Sequence, residues 1–217
     1  MTSPFLILPL LYFLFTSVFA DDIQLTRQNF AQITFKNIPP TQYHFNADGL
    51  AIKVDRSASG LIHAFKTPVK MTGFMALLKH EGKLLIQSAA QEQSKAGDDS
   101  YLRIGLIIKG PERTIPFFAP SWVKQIRQHL NSGFKRVIYY HVDSKNKPGS
   151  HWLSPYTSEI TIKSIASQSS KTAYRKLNET FDKPLLVVGI IIMSDGDNTK
   201  SKFQTKLKRL QFTRARK

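Results

Sequence analysis

The chain has 217 residues, with 31 lysines and arginines against 15 aspartates and glutamates, a formal charge of +16 and no cysteine. Without a thiol there is no disulfide framework, thiolate metal site, cysteine nucleophile or acylated-cysteine anchor. The fold must rest on its own apolar core, for which a 41% hydrophobic composition suffices.

Residues 1–20 carry no charged side chain and are almost wholly apolar from Phe5 to Phe15. Val18-Phe19-Ala20 then places modest side chains at −3 and −1 of a signal-peptidase site, ahead of Asp21-Asp22. A membrane span needs about 20 apolar residues, and Pro9 interrupts this run. The expectation is a cleaved signal peptide, a single domain over residues 21–217 and no transmembrane span after cleavage. The location would be periplasmic or secreted, with no nucleic-acid partner expected. In that compartment a positive field attracts lipopolysaccharide, anionic glycan, phospholipid headgroups or an acidic protein. It also serves plain solubility.

Beyond Asp22, short apolar runs of period two recur between turn residues. Leu50, Ile52 and Val54 alternate with Ala51, Lys53 and Asp55, after the turn signal Asn46-Ala47-Asp48-Gly49. Ser57-Ala58-Ser59-Gly60 reads as the next turn. Further strands are predicted over 61–65, 73–79, 83–88, 101–109, 136–142, 159–165, 185–193 and 208–213. The run Leu185 to Met193 is apolar at both parities, which places it centrally with both faces covered. One helix is predicted over 122–130, capped by Ser121 and ended by Gly133, with a second short one around 173–181. Many strands and few helices predict an all-β fold, a β-sandwich or jelly roll with one or two short helices.

Acid is concentrated in two strings, Gly97-Asp98-Asp99 and Asp195-Gly196-Asp197-Asn198-Thr199, each beside a predicted strand. In the strand after the first, Leu102, Ile104, Leu106 and Ile108 form one face. Alternation then puts Asp99, Tyr101 and Arg103 on the other. A carboxylate, a phenol and a guanidinium in a row suit a polar ligand, although Arg103 paired with Asp99 or Asp195 needs none. The candidate ligand-binding residues are Asp98, Asp99, Tyr101, Arg103, Asp195, Asp197 and Asn198. Asp195 to Asn198 also suits a structural calcium, but no glutamate completes an EF-hand and a metal-free turn explains the string better. No cofactor is expected.

No paired-histidine zinc motif, nucleophile elbow, phosphate loop or dinucleotide fingerprint occurs. His141 is the histidine to watch. Trp122 and Trp152 could stack on sugar rings or lie in the core.

Taken in order, Gly97-Asp98-Asp99-x-Tyr101-x-Arg103 opening a strand and Asp195-x-Asp197-Asn198-Thr199 ending one resemble the bacterial domain-of-unknown-function family 3047. The likeness spans roughly residues 35–212. It implies an exported β-sandwich or jelly-roll domain and brings no activity. A tryptophan-rich segment of the family has no counterpart between Lys79 and Gln87.

Three functions compete. The leading expectation is a non-catalytic binding module for an anionic envelope glycan, lipopolysaccharide or another anionic partner. A polysaccharide-acting enzyme is the alternative: a glycosidase using Asp99 and Asp195, or a lyase with Tyr101 or His141 as base and Arg103 neutralising the substrate carboxylate. An assembly partner using a sheet edge is the third.

Overall fold

The computed structural model describes residues 20–112, 119–166 and 173–215. The predicted signal peptide falls almost entirely on residues outside these. Eleven strands form one continuous sheet. In chain order they are β1 (Ala20–Asp22), β2 (Ala31–Thr34), β3 (Gln42–Asn46), β4 (Gly49–Asp55), β5 (Ala58–Lys83), β6 (Ser100–Lys109), β7 (Phe134–Val142), β8 (His151–Ser154), β9 (Thr157–Ser164), β10 (Arg175–Asp195) and β11 (Lys202–Arg214). Helix α1 (Ala89–Glu92) precedes β6, and α2 (Ser121–His129) lies between β6 and β7. The fold is all-β. Among the described residues no helix is long and apolar enough to cross a membrane.

The sheet becomes a sandwich because two strands serve both layers. Residues 58–64 of β5 pair with the end of β10 and with β2, whereas residues 69–83 pair with the start of β10 and with β11. The ladder breaks twice: residues 65–68 of β5 are unpaired between the two halves, opposite Val188, and residues 181–184 of β10 are unpaired within the second half, opposite Thr72. Pro68 and Pro184 sit in these gaps, where a missing N–H costs no ladder bond.

One layer therefore holds β2, β6, β7, β9 and β8, and the other β3, β4, β11 and β1. Between them lies the main core, with Leu50 and Ile52 of β4, Phe74 of β5, Ile104 of β6, Ile190 of β10 and Phe212 of β11. A second apolar cluster covers the outer face of the first layer, where Ile62, Ile107, Tyr139 and Ile191 meet Ile126 and Leu130 at α2. Ile190 and Ile192 thus face inward while Ile191 and Met193 face outward. That arrangement accounts for the two-sided apolar run, and β10 is central, as that run predicts.

The sequence reading departs from the structure at several places; β1, β2, β3 and β8 form where no strand is predicted, and the turn expected over 57–60 is strand from Ala58. The segments 61–65 and 73–79 belong to one 26-residue strand, since the turn chemistry between them bends the strand instead of ending it. No helix forms at 173–181; Leu177 and Phe181 alternate there with exposed Lys176, Asn178 and Thr180, and strand period wins. Past Lys83 the expected strand at 83–88 gives way to a segment ending at Ser88, whose hydroxyl caps α1 by accepting from the Gln91 N–H. Helix α2 begins at Ser121, with Pro120 in the cap position and no side-chain cap.

Candidate functional site

Register assembles the site. Ile33, Gly60, Met193, Arg103, His141 and Ser164 are successive Cα partners across β2, β5, β10, β6, β7 and β9. Arg103 is 3% exposed. Its Nη2 donates to Asp98 Oδ1 at 2.8 Å and lies 3.3 Å from Asp195 Oδ2. Its Nε donates to His141 Nε2 at 2.7 Å. An arginine N–H needs a lone pair, so the His141 proton sits on Nδ1, 3.0 Å from Glu92 Oε1. Burial, then the Arg103 charge, pushes His141 below its usual range and keeps it neutral. Burial would raise Glu92, but hydrogen bonds from His141, Ser144 and Asn146 outweigh it and hold the carboxyl down. Glu92 thereby anchors the turn at 144–146 to α1.

Asp99 has a separate task. It is fully buried; its Oδ2 accepts from the Thr199 N–H and hydroxyl, both at 2.6 Å, and its Oδ1 accepts from the Asn198 side chain at 3.1 Å. The carboxylate moulds the Asp195–Thr199 turn. Asp195 Oδ1 is buried without a partner. Burial pushes the Asp195 carboxyl well above its ordinary 3.8, against the pull of Arg103, and Asp99, Asp98 and Asp197 add to the rise. Asp197 is raised too, by burial and then by Asp99.

Oxygens of Asp99, Asp195 and Asp197 lie within 4.8 Å of one another. Yet both Asp99 oxygens already accept two hydrogen bonds each, and Arg103 neighbours Asp195 Oδ2. Three carboxylate oxygens remain, Asp195 Oδ1 and the two of Asp197, whereas calcium takes about six to eight oxygen ligands. The donor set does not fit calcium.

This polar cluster closes one end of a cleft of about 460 Å³ on the outer face of the first layer. Gly60, Ile191, Met193 and Tyr139 line its floor, Trp122 and Val123 of α2 form one wall, and Tyr156 of the β8–β9 turn stands opposite. Tyr156 is 55% exposed, and its hydroxyl donates to Asn198 Oδ1 at 3.2 Å, joining that wall to the acidic turn. Gly105 lets the Tyr139 ring lie flat over β6: a Cβ there would come within 2.7 Å of the ring.

Of the candidate residues, Asp98, Arg103, Asp195, Asp197 and Asn198 line the cleft, and Asp99 supports it from behind. Tyr101 does not belong to it. The β6–β10 register shifts between residues 103 and 100, and this irregularity turns Tyr101 into the inner core. There its ring stacks on His80 at 3.8 Å, and its hydroxyl accepts from the Leu84 N–H at 2.9 Å. Trp152 is buried edge-on to His141, away from the cleft lining. Sequence reasoning missed Gly60, Glu92, Tyr139 and Tyr156. Only Tyr156, following Pro155 in a turn, carried a local signal of exposure.

Three of the groups nominated for catalysis are committed elsewhere, while Asp195 and Arg103 line the cleft. Asp99 is saturated by the turn, Tyr101 faces the other side of the sheet, and both His141 nitrogens are engaged.

Fold and site define a β-sandwich domain with an aromatic-walled cleft on the outer face of one layer. The chain belongs to the family described as "Protein of unknown function (DUF3047)", whose model matches residues 28–211. None of the curated proteins matches it in sequence. Among solved structures it is similar to a family two carbohydrate esterase from Cellvibrio japonicus at 10% identity and a TM-score of 0.36, covering 92% of this chain and 35% of that one. It thus spans about a third of the esterase's length. The xylan-binding module CBM15 is similar at 11% identity and a TM-score of 0.41, over 93% and 99% of the two chains. CsCBM6-3 from Clostridium stercorarium, in complex with cellobiose, is similar at 12% identity and a TM-score of 0.32, over 86% and 95%. Likeness at this level carries no functional argument.

Proposed function

We propose that this is a non-catalytic glycan-binding domain, exported to the periplasm or beyond, and that the cleft is its binding site. The observation that carries the reading is the joining of an apolar, aromatic-walled trough to a rigid cluster of acceptors and donors. A sugar ring offers an apolar face of C–H groups to Trp122 or Tyr156 and a rim of hydroxyls to Asp98, Asp197 and Arg103. The cleft's size is that of a small-ligand pocket. Among the described lining residues, Asp98, Asp195, Asp197 and Glu159 face Arg103 as the single cation. We therefore assign a neutral sugar to the cleft in place of the anionic glycan suggested by net charge.

Calorimetric titration with neutral oligosaccharides, guided by a glycan array, tests this. Trp122→Ala and Tyr156→Ala should each weaken binding about tenfold, the scale of one lost aromatic contact, and Tyr156→Ala should leave the melting temperature unchanged. Absence of binding to every neutral glycan, or full affinity in both variants, overturns it.

A further inference from the structure

Part of the excess charge collects on one face of the fold, away from the cleft. On the outer face of the second layer, β4, β11 and β5 run side by side. Inward residues Phe203, Thr205 and Leu207 of β11 are buried, which turns Lys202, Gln204, Lys206 and Lys208 to solvent. Register sets their neighbours: Lys202 between Asp55 and Lys83, Gln204 between Lys53 and Glu81, Lys206 between Ala51 and Lys79. Beyond them the exposed Tyr174 ring has the ammonium groups of Lys79 and Lys208 each 5.5 Å from its centroid. The face thus carries Lys53, Lys79, Lys83, Lys202, Lys206 and Lys208, opposed by Asp55 and Glu81, which pair with Lys202 and Lys79.

Two of these contacts run against sheet stability. Lys206 is directly opposite Lys79, and Lys202 directly opposite Lys83. Like charges in such positions repel, and the buried residues between them lock the register, so the lysines cannot slip apart. An anion above the face relieves the repulsion. The array is two-dimensional, three strands wide and four rows long, about 10 Å by 20 Å from strand spacing and rise. A linear polyanion would follow one row of such an array, whereas a plane of headgroups meets all of it. Tyr174, ringed by ammonium groups and open to solvent, is the residue type that sits at a bilayer–water interface. The opposite layer carries the cleft, which stays open when this face is covered.

We propose that the β4–β11–β5 face docks on an anionic phospholipid bilayer through its lysines and Tyr174. The proposal stands independently of what the cleft binds.

Sedimentation of the full chain with vesicles tests it, using phosphatidylcholine alone and phosphatidylcholine with 30% phosphatidylglycerol, about the content that supplies a strongly anionic surface. The readout is the ratio of the two partition coefficients, which cancels any binding by the apolar N-terminal residues. That ratio should exceed about tenfold at low salt and fall steeply as salt rises. Lys206→Glu with Lys208→Glu should bring it close to one, given about fivefold per lysine at such a surface. Lys145→Glu with Lys147→Glu, the same charge change at exposed sites elsewhere, should leave it within about threefold of wild type. In vesicle-free buffer the single change Lys206→Glu should raise the melting temperature by removing the repulsion. Equal losses in the two double variants overturn the proposal, because binding is then diffuse charge attraction. A ratio near one in the wild type, with capture by a soluble anionic glycan instead, overturns it as well.

Discussion

Arg103 is the hinge of the site's electrostatics. One buried guanidinium serves Asp98, Asp195 and His141, so its loss leaves charge uncompensated in a dry place. Arg103→Ala should destabilise the protein by about 3–5 kcal/mol, the usual cost of stranding a buried partner. Arg103→Lys keeps the charge but loses the Nε bond to His141 and should cost less. Urea denaturation of the two variants measures the difference, and equal midpoints would show that the His141 bond contributes nothing.

Asp195 behaves in the opposite sense. Its carboxyl is raised in the folded protein, so the native state holds a proton that the unfolded chain releases above about pH 3.8. Stability linked to this group is therefore greatest in acid and declines as pH rises from there towards the raised native value. Asp195→Asn removes that decline. The melting temperature of the variant should gain on wild type as pH increases from 4, and parallel curves would refute the assignment.

At the scale of elements, close approach of β6 to the Tyr139 ring shapes the cleft floor. Gly105→Ala puts a methyl 2.7 Å from Cε1 of that ring, which must move outward into the trough. The expected result is a loss of about 1–3 kcal/mol, as for overpacking in general, together with weaker glycan binding. Unchanged affinity in a stable Gly105→Ala would show that the floor does not touch the ligand. The long strands β5 and β10 teach a related lesson. Pro68 and Pro184 look in sequence like strand ends, because each removes a ladder donor. In the folded chain Pro68 lies in the unpaired stretch of β5 between its two halves, and Pro184 lies in a separate unpaired stretch of β10 within the second half. A punctuation signal reports a missing hydrogen bond, and whether the strand stops or bends depends on what continues beyond it.

At the scale of the whole molecule, the two outer faces differ in charge. The cleft on one outer face is lined by acids around a single arginine, and the other outer face carries six lysines. A sum of +16 could not reveal this division, and it drew the anionic partner toward Arg103, where the lining is acidic. Alternation was enough to identify the inward residues of β4 and β6, and two-sided apolarity the central place of β10, because burial on a pleated strand has a fixed period of two. The same rule set Arg103 beside Asp99, while the concentration of acid brought Asp98 and the turn at Asp195 to notice. It failed at Tyr101, where a register shift between neighbouring strands reversed the side chain's face. It also could not supply Glu92, Tyr139 or Tyr156, which come to the site from α1, β7 and the β8–β9 turn. Sequence by itself determined the all-β class, most of the long strands, the central place of β10 and where acid collects, since these depend on local period and composition. Only the tertiary structure decided which side of the sheet each group faces at register shifts and what lies across from it, because register is set by pairing between segments from about twenty to well over a hundred residues apart.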